Sequence, residues 1–444
     1  MKTKTKNTLQ TRREFLRTSM LGAAATWTLP VFLEQTFFAL DAIAANAVTQ
    51  TATGKDGTIL VVLQLAGGND GLNTVVPYAD DAYHRARPRL ALPDEQILTI
   101  DHHVGLNPKL AGLKSLYEEG HLAIVQGVGY PNPNRSHFRS TEIWQTASDA
   151  DRNETHGWLG RYFDNCCSGA DPTIGVAIGE EMPQAFAAKN PTGITFSRPE
   201  QFRWRASASN TGHMSTEEIF FRQLNGFDEE NTPAATDGAS IGTLPGTSKS
   251  DLSTLDFLQR TALDAQLSSD KILAIARKYK STVPYPQGRL AASLNIIARM
   301  IAGGLTTRVY YASHGGFDTH AGQFNTHGRL MTELNDTIAA FVADLKQQGN
   351  FERVLLITFS EFGRRVAENA NGGTDHGTAA PMFVLGGRVK PGLFGEHPSL
   401  TDLDHGDLKF NTDFRSVYGT VLDSWLNTPS QIVLGRKFPS LAIL

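Results

Sequence analysis

Thr58 to Leu65, Thr-Ile-Leu-Val-Val-Leu-Gln-Leu, runs without a break into Ala-Gly-Gly-Asn-Asp-Gly at 66–71. A β-rich apolar run of this kind needs cover on both faces, the environment of a central strand in a parallel sheet. The glycines then turn the chain sharply at the strand's carboxyl end. In open α/β sheets that end is where ligands bind.

The elements that follow extend the same plan. A helix is expected over Pro108–Glu119, with Asn107 as its cap and Leu110, Leu113, Leu116 and Tyr117 along one face. Strand Leu122–Val128 then gives the β-α-β alternation of a wound sheet. Residues 201–250 are rich in Ser, Thr, Asn and Gly without sustained periodicity, and read as a surface insertion or cap. Helical patterns over Asp251–Tyr279 and Gly288–Ala302 return the chain to the sheet. Strand Arg308–Ala312, helix Phe324–Gln347, strands Arg353–Phe359 and Met382–Leu385 and helix Asp413–Leu426 complete it. The expectation is one α/β domain over 48–444, a central and mostly parallel sheet flanked by helices on both faces.

Residues 1–47 stand apart. Lys2, Lys4 and Lys6 precede Thr11-Arg12-Arg13-Glu14-Phe15-Leu16-Arg17, then an apolar stretch Met20–Phe38, then small residues Ala44, Ala45 and Ala47. That order is a twin-arginine export signal with cleavage near Ala47. It makes the twin-arginine translocase the expected partner and the periplasm or exterior the destination. Pro30 and Glu34 interrupt the apolar stretch, so no stable membrane span is expected in the mature form.

The formal charge of −4 becomes −7 without residues 1–47, which carry six Lys/Arg against three Asp/Glu. A mildly acidic domain is a poor non-specific nucleic-acid binder, so nucleic acid is not an expected partner. The only cysteines, Cys166 and Cys167, are adjacent, a spacing that opposes a bridge between them. No disulfide framework is expected.

Polar clusters lie at five strand ends. They are Asn69-Asp70 after the first strand, Asn134-Arg135-Ser136-His137 after the second, and His314 with Asp318-Thr319-His320 after Arg308–Ala312, His327 following. The last two are Ser360-Glu361 with Arg364-Arg365, and Asp375-His376 before Pro381-Met382. Carboxylates and imidazoles from several strand ends suit Zn²⁺, Mn²⁺ or Mg²⁺. Two cations a few ångströms apart could hold a small anionic ester and activate a hydroxyl. Ser136, ahead of the helical pattern His137–Gln145, is the candidate nucleophile, because a helix start favours an approaching anion. Arg135 and Arg139 are close enough in sequence to clamp the anion's oxygens. Each residue also admits a plainer role: Asp70-Gly71 a tight turn, Ser136 an N-cap, His320 and His327 surface or capping histidines, Asp375-His376 a loop.

These residues resemble a large bacterial family of exported proteins labelled domain of unknown function 1501. The matching segments are Leu-Ala-Gly-Gly-Asn-Asp-Gly-Leu-Asn-Thr (65–74), Gly-Val-Gly-Tyr-Pro-Asn-Pro-Asn-Arg-Ser-His-Phe (127–138), Gly-Gly-Phe-Asp-Thr-His (315–320), Phe-Ser-Glu-Phe-Gly-Arg-Arg (359–365) and Gly-Gly-Thr-Asp-His-Gly-Thr (372–378). The resemblance implies the fold of the alkaline-phosphatase and sulfatase superfamily, whose members use two metals, or one, at the strand ends. By that resemblance Asp70 looks like the metal-binding aspartate after the first strand, and Ser136 like the nucleophile at a helix start. Asp318 and His320 look like an aspartate and a later histidine, with His327 a rival for the latter, and His376 like the last histidine. Glu361 stands where the superfamily has Asp followed by His, and Phe362 replaces that His.

Together these readings lead to an exported metal-dependent hydrolase of phosphate or sulfate esters. Asp318, His320 and His376 would hold one cation, Asp70 and Glu361 a second, with Ser136 attacking and Arg135 assisting. Asn69, His137, His314, His327 and Asp375 are further candidates. Two alternatives stay open: a binding or surface protein that keeps the fold without turnover, favoured by Phe362, and a phosphomutase or transferase that shares Ser136.

Overall fold

The computed structural model describes residues 57–167, 172–189, 193–199 and 272–444. The export signal, the 201–250 insertion and most of the Asp251–Tyr279 helical pattern lie outside them, while 272–278 is helical.

The first strand, β1 (Ile59–Ala66), is where the apolar run places it. Ile59, Val61, Leu63 and Leu65 pack into one core; Leu60 and Val62 pack into the other. Full burial of each such side chain is worth about 1.5–3 kcal/mol, so a run apolar on both faces is stable only when covered on both. The remaining strands of the main sheet are β2 (Leu122–Gly129), β3 (Gly175–Ile178), β4 (Ile194–Phe196), β5 (Val309–Gly315), β6 (Val354–Phe359), β7 (Ala380–Gly386), β8 (Gly392–Phe394) and β9 (Thr412–Asp413). Their order is β8-β2-β7-β6-β1-β5-β3-β4, with β9 also paired to β2.

Only β7 runs against the rest, pairing antiparallel with both β2 and β6. The sheet is therefore mixed and mostly parallel. β2 does not pair with β1 as a minimal β-α-β unit would; β6 and β7 lie between them. The antiparallel strand serves the site: its amino end lies at the same sheet edge as the carboxyl ends of β2, β6, β1 and β5. Loops from five adjacent strands can thus meet at one place.

Helices cover both faces. α1 (Asp81–Ala86) lies to one side, and α2 (Ala111–Glu118) packs against the long α6 (Gln323–Gln347) on the first face, with α5 (Arg289–Ala302). The other face is covered by α3 (His137–Thr146), α4 (Trp158–Cys166) and α7 (Phe414–Thr420). The expected Asn107 cap is not made at the helix. Asn107 Oδ1 takes the Lys109 amide 3.0 Å away, the helix starts three residues later than Pro108, and Asn335 Oδ1 of α6 accepts its Gly112 and Leu113 amides at 2.7 and 3.1 Å. The expected Asp413–Leu426 helix divides at Val421 into a π-helical turn, Val421–Trp425. Cys166 and Cys167 are bridged, contrary to expectation. The pair spans the end of α4, where Cys167 leaves helical geometry at φ −135° and ψ 26°. A bond between neighbours closes no long loop, so it does not cross-link the fold. No helix among the described residues is long and apolar enough to cross a membrane.

Candidate metal centre

Arg364 organises the strand-end loops. Its guanidinium is fully buried and donates to the carbonyls of Gly67, Gly68, Phe317 and Thr374, and to Asp318 Oδ1 at 2.7 Å. These acceptors come from the loops after β1 and β5 and before β7, so one side chain fixes three segments. Close backbone approach demands glycine here. Gly67 has φ +118°, and a Cβ there would meet the Asp318 nitrogen at 2.5 Å; a Cβ on Gly373 would meet the His320 carbonyl carbon at 2.2 Å.

The loops bring Asp318, His320, His376 and His137 together. His320 Nε2 and His376 Nε2 lie 2.9 Å apart, and each is 3.1 Å from Asp318 Oδ1. His137 Nε2 is 3.4 Å from Asp318 Oδ2. His137, Asp318 and His376 each bring a donor atom within 4.8 Å of the other two. Partial burial opposes the Asp318 charge, but hydrogen bonds from Arg364 and His376 outweigh it and hold the carboxyl down at about 2. It is an anion at any physiological pH.

The donor chemistry fits a divalent cation. Two imidazole nitrogens facing each other beside an ionised carboxylate are a nitrogen and oxygen ligand set. His137 Nε2 is buried without a hydrogen-bond partner, an unmet acceptor or donor pointing the same way. The outer contacts also fit, since metal-binding imidazoles usually have the far nitrogen held. His376 Nδ1 lies 2.9 Å from the Arg135 carbonyl, His320 Nδ1 lies 3.4 Å from Asp375 Oδ1, and His137 Nδ1 lies 2.8 Å from Glu361 Oε1. Phe362 is buried as the wall of this cluster, its ring 4.9 Å from that of His137 and 4.6 Å from that of His376.

Ser136 occupies the N-cap position of α3 but makes no side-chain capping bond, and the residue is exposed. Asn134 Oδ1 accepts the Ser136 amide instead, at 2.8 Å. Ser136 is held between Arg135, whose carbonyl meets His376, and His137, whose ring enters the cluster. The Arg135 guanidinium is ion-paired with Asp407, which Arg365 also approaches, at 3.5 Å. Arg139 is turned away: it binds Glu142 and the carbonyls of Asp149, Ala150 and Arg152.

Asp70 is not among the gathered residues. It has no exposed surface, and its Oδ2 accepts from Arg87 Nη1 at 2.6 Å and from Gln323 Nε2. Burial opposes its ionisation, yet the Arg87 charge and hydrogen bond outweigh that and keep the carboxyl below its ordinary value. Asn69 and His327 bind each other at 3.0 Å beneath the site. Burial above all pushes His327 down to about 4, and its ring faces Asn69, whereas the ring of His320 lies beside Asp318 and His376. His314 is buried against the Leu330 carbonyl, its pKa lowered by burial, and faces neither cation candidate. Arg364, Arg87 and Gln323 carry much of the architecture. Of these the sequence marks Arg364 alone, in the cluster after a strand end, and offers no signal for Arg87 or Gln323.

Fold and site thus define an α/β protein with histidines and carboxylates gathered at the strand ends of a mostly parallel sheet. The chain belongs to the family described as "Protein of unknown function (DUF1501)", whose model matches residues 122–414. No curated protein matches it. Among solved structures it is similar to a sulfatase from Pseudoalteromonas, at 10% identity over 93% of this chain and 74% of that one, TM-score 0.34. It is also similar to a phosphonate monoester hydrolase from Silicibacter pomeroyi, at 10% identity over 86% and 78%, TM-score 0.32. A third is a protein in the alkaline phosphatase superfamily from Vibrio parahaemolyticus, at 9% identity over 84% and 72%, TM-score 0.31.

Proposed function

We propose that this protein is an exported, metal-dependent hydrolase of phosphate or sulfate esters. One observation carries the reading: His320 Nε2 and His376 Nε2 face each other at 2.9 Å, each 3.1 Å from the ionised Asp318. These three residues would hold the cation, and its chemistry when bound is to offset charge on an ester anion and favour the ionised form of a nearby hydroxyl. Zn²⁺ or Mn²⁺ suits the nitrogen-rich set better than Mg²⁺.

The chain's own residues supply the rest. Ser136 is exposed and no capping bond consumes its hydroxyl, at the positive end of α3. Its Oγ attacks the phosphorus or sulfur, the alcohol leaves, and water then releases the acid from the serine. Arg135, next in sequence to Ser136 and anchored on Asp407, would use its remaining N–H groups to bind the anion's oxygens. Asp375 and the Arg135 carbonyl orient His320 and His376. The Arg12-Arg13 motif supports export by the twin-arginine translocase to the periplasm or exterior, with a small anionic ester as substrate.

A screen of aryl phosphates and aryl sulfates with added Mn²⁺ or Zn²⁺ tests the reading. The expected result is turnover that Ser136→Ala abolishes. Binding of such esters without turnover, unchanged by Ser136→Ala, would instead favour a non-catalytic binding protein; burst kinetics with an acceptor sugar would identify a transferase.

A further inference from the structure

We propose that His137 is a nitrogen ligand of the same cation, that Glu361 is the carboxylate which aims it, and that the described strand-end residues hold one cation rather than two. This rests on the reading that Asp318, His320 and His376 bind a divalent ion.

The ring of Phe362 packs at 4.9 Å against that of His137, which comes from the start of α3. Glu361, the neighbour of Phe362, receives His137 Nδ1 at 2.8 Å and the Gly67 amide at 2.8 Å on the same Oε1. An ionised carboxylate only accepts, so Nδ1 donates this bond and Nε2 is the nitrogen turned toward Asp318. That Nε2 is buried, has no hydrogen-bond partner, and lies 3.4 Å from Asp318 Oδ2. A buried ring nitrogen without a partner is costly, and a cation held between it and Asp318 would meet it.

The same geometry engages the two carboxylates that a second site would need. Glu361 Oε1 is committed to His137 and Gly67, and Oε2 lies 3.4 Å from Ser360 Oγ. Asp70 is committed through Oδ2 to Arg87, both side chains having no exposed surface. The guanidinium occupies one side of the Asp70 carboxylate and neutralises it, the service a second cation would render. Asp70 Oδ1 alone is left unpartnered, which makes the number of cations bound the decisive quantity.

The test is calorimetric titration of the chelator-treated full chain with Zn²⁺, for the wild type, His137→Ala, Glu361→Gln and the double variant, each checked for folding by circular dichroism. One equivalent is expected. His137→Ala and Glu361→Gln should each weaken binding, Glu361→Gln by about 10–100-fold, and the double variant should be no weaker than His137→Ala. Two equivalents in the wild type, or a double variant weakened by the product of the single effects, overturns the inference. If buried Glu361→Gln does not fold, half-exposed His137→Asn stands in: unchanged Zn²⁺ affinity overturns the inference, and weaker binding at one equivalent supports it. A wild type that binds no cation overturns the reading of Asp318, His320 and His376 as well; binding of unchanged affinity without His137 overturns only the present inference.

Discussion

Arg364 Nη2 lies 2.7 Å from Asp318 Oδ1, tying a side chain with no exposed surface to one that is 47% exposed. The same guanidinium holds four backbone carbonyls, so the candidate ligand is fixed from beneath by the group that also fixes the loops around it. Lysine cannot reproduce the fork of donors. Arg364→Lys should cost about 3 kcal/mol of stability in urea unfolding, from buried polar groups left unpaired. A change below about 0.5 kcal/mol would mean the network is not what holds the loops.

Gly67 tests the backbone side of the same arrangement. Its φ is +118°, and a methyl group there would stand 2.5 Å from the Asp318 nitrogen, so alanine must displace the Asp318 loop. Gly67→Ala should lose about 2 kcal/mol or more, against less than about 0.5 kcal/mol for Gly315→Ala, where nothing lies within 4 Å. Thermal melts of the two variants measure the difference; equal melts would contradict it.

Asp70 and Arg87 are predicted to act as a closed pair. Asp70→Asn should destabilise by about 3 kcal/mol because Arg87 is left buried without its counter-charge. Adding Arg87→Gln should restore part of that loss, and a double variant less stable than the sum of the singles would contradict the pairing.

His327 gives a pH signature. Its folded pKa is about 4, below the ordinary histidine value, so the unfolded chain takes up a proton in a range where the folded one does not. The stability is fully present above about pH 6.5 and is lost as pH falls toward 4, a loss on the order of 3 kcal/mol. His327→Gln should flatten the fall in melting temperature between these limits; an unchanged slope would assign the acid sensitivity elsewhere.

The sheet was readable because a strand buried on both faces leaves an unalternating run, as in β1, β2 and β6. Its order was less readable: β2 lies beyond β6 and the antiparallel β7, and pairings between segments hundreds of residues apart leave no local mark. At the site, Asp318, His320 and His376 were all named from sequence, and the structure gathers them. Asp70 carried the same strand-end signal, yet its carboxylate points to Arg87. In the Arg85, Arg87, Arg89 run nothing says which arginine turns inward. Glu361 and His137 were both candidates, but their contact joins residues 224 positions apart. Phe362 read as a missing ligand; the packing makes it a wall for two histidines.

Whether Asp318, His320 and His376 hold a divalent cation is decided by elemental analysis of the full chain purified without chelator. About one equivalent of a transition-metal cation per chain is expected, since a ligand set already gathered in the fold binds without a folding cost. Less than about a tenth of an equivalent of every divalent cation, with none taken up on addition, would contradict it.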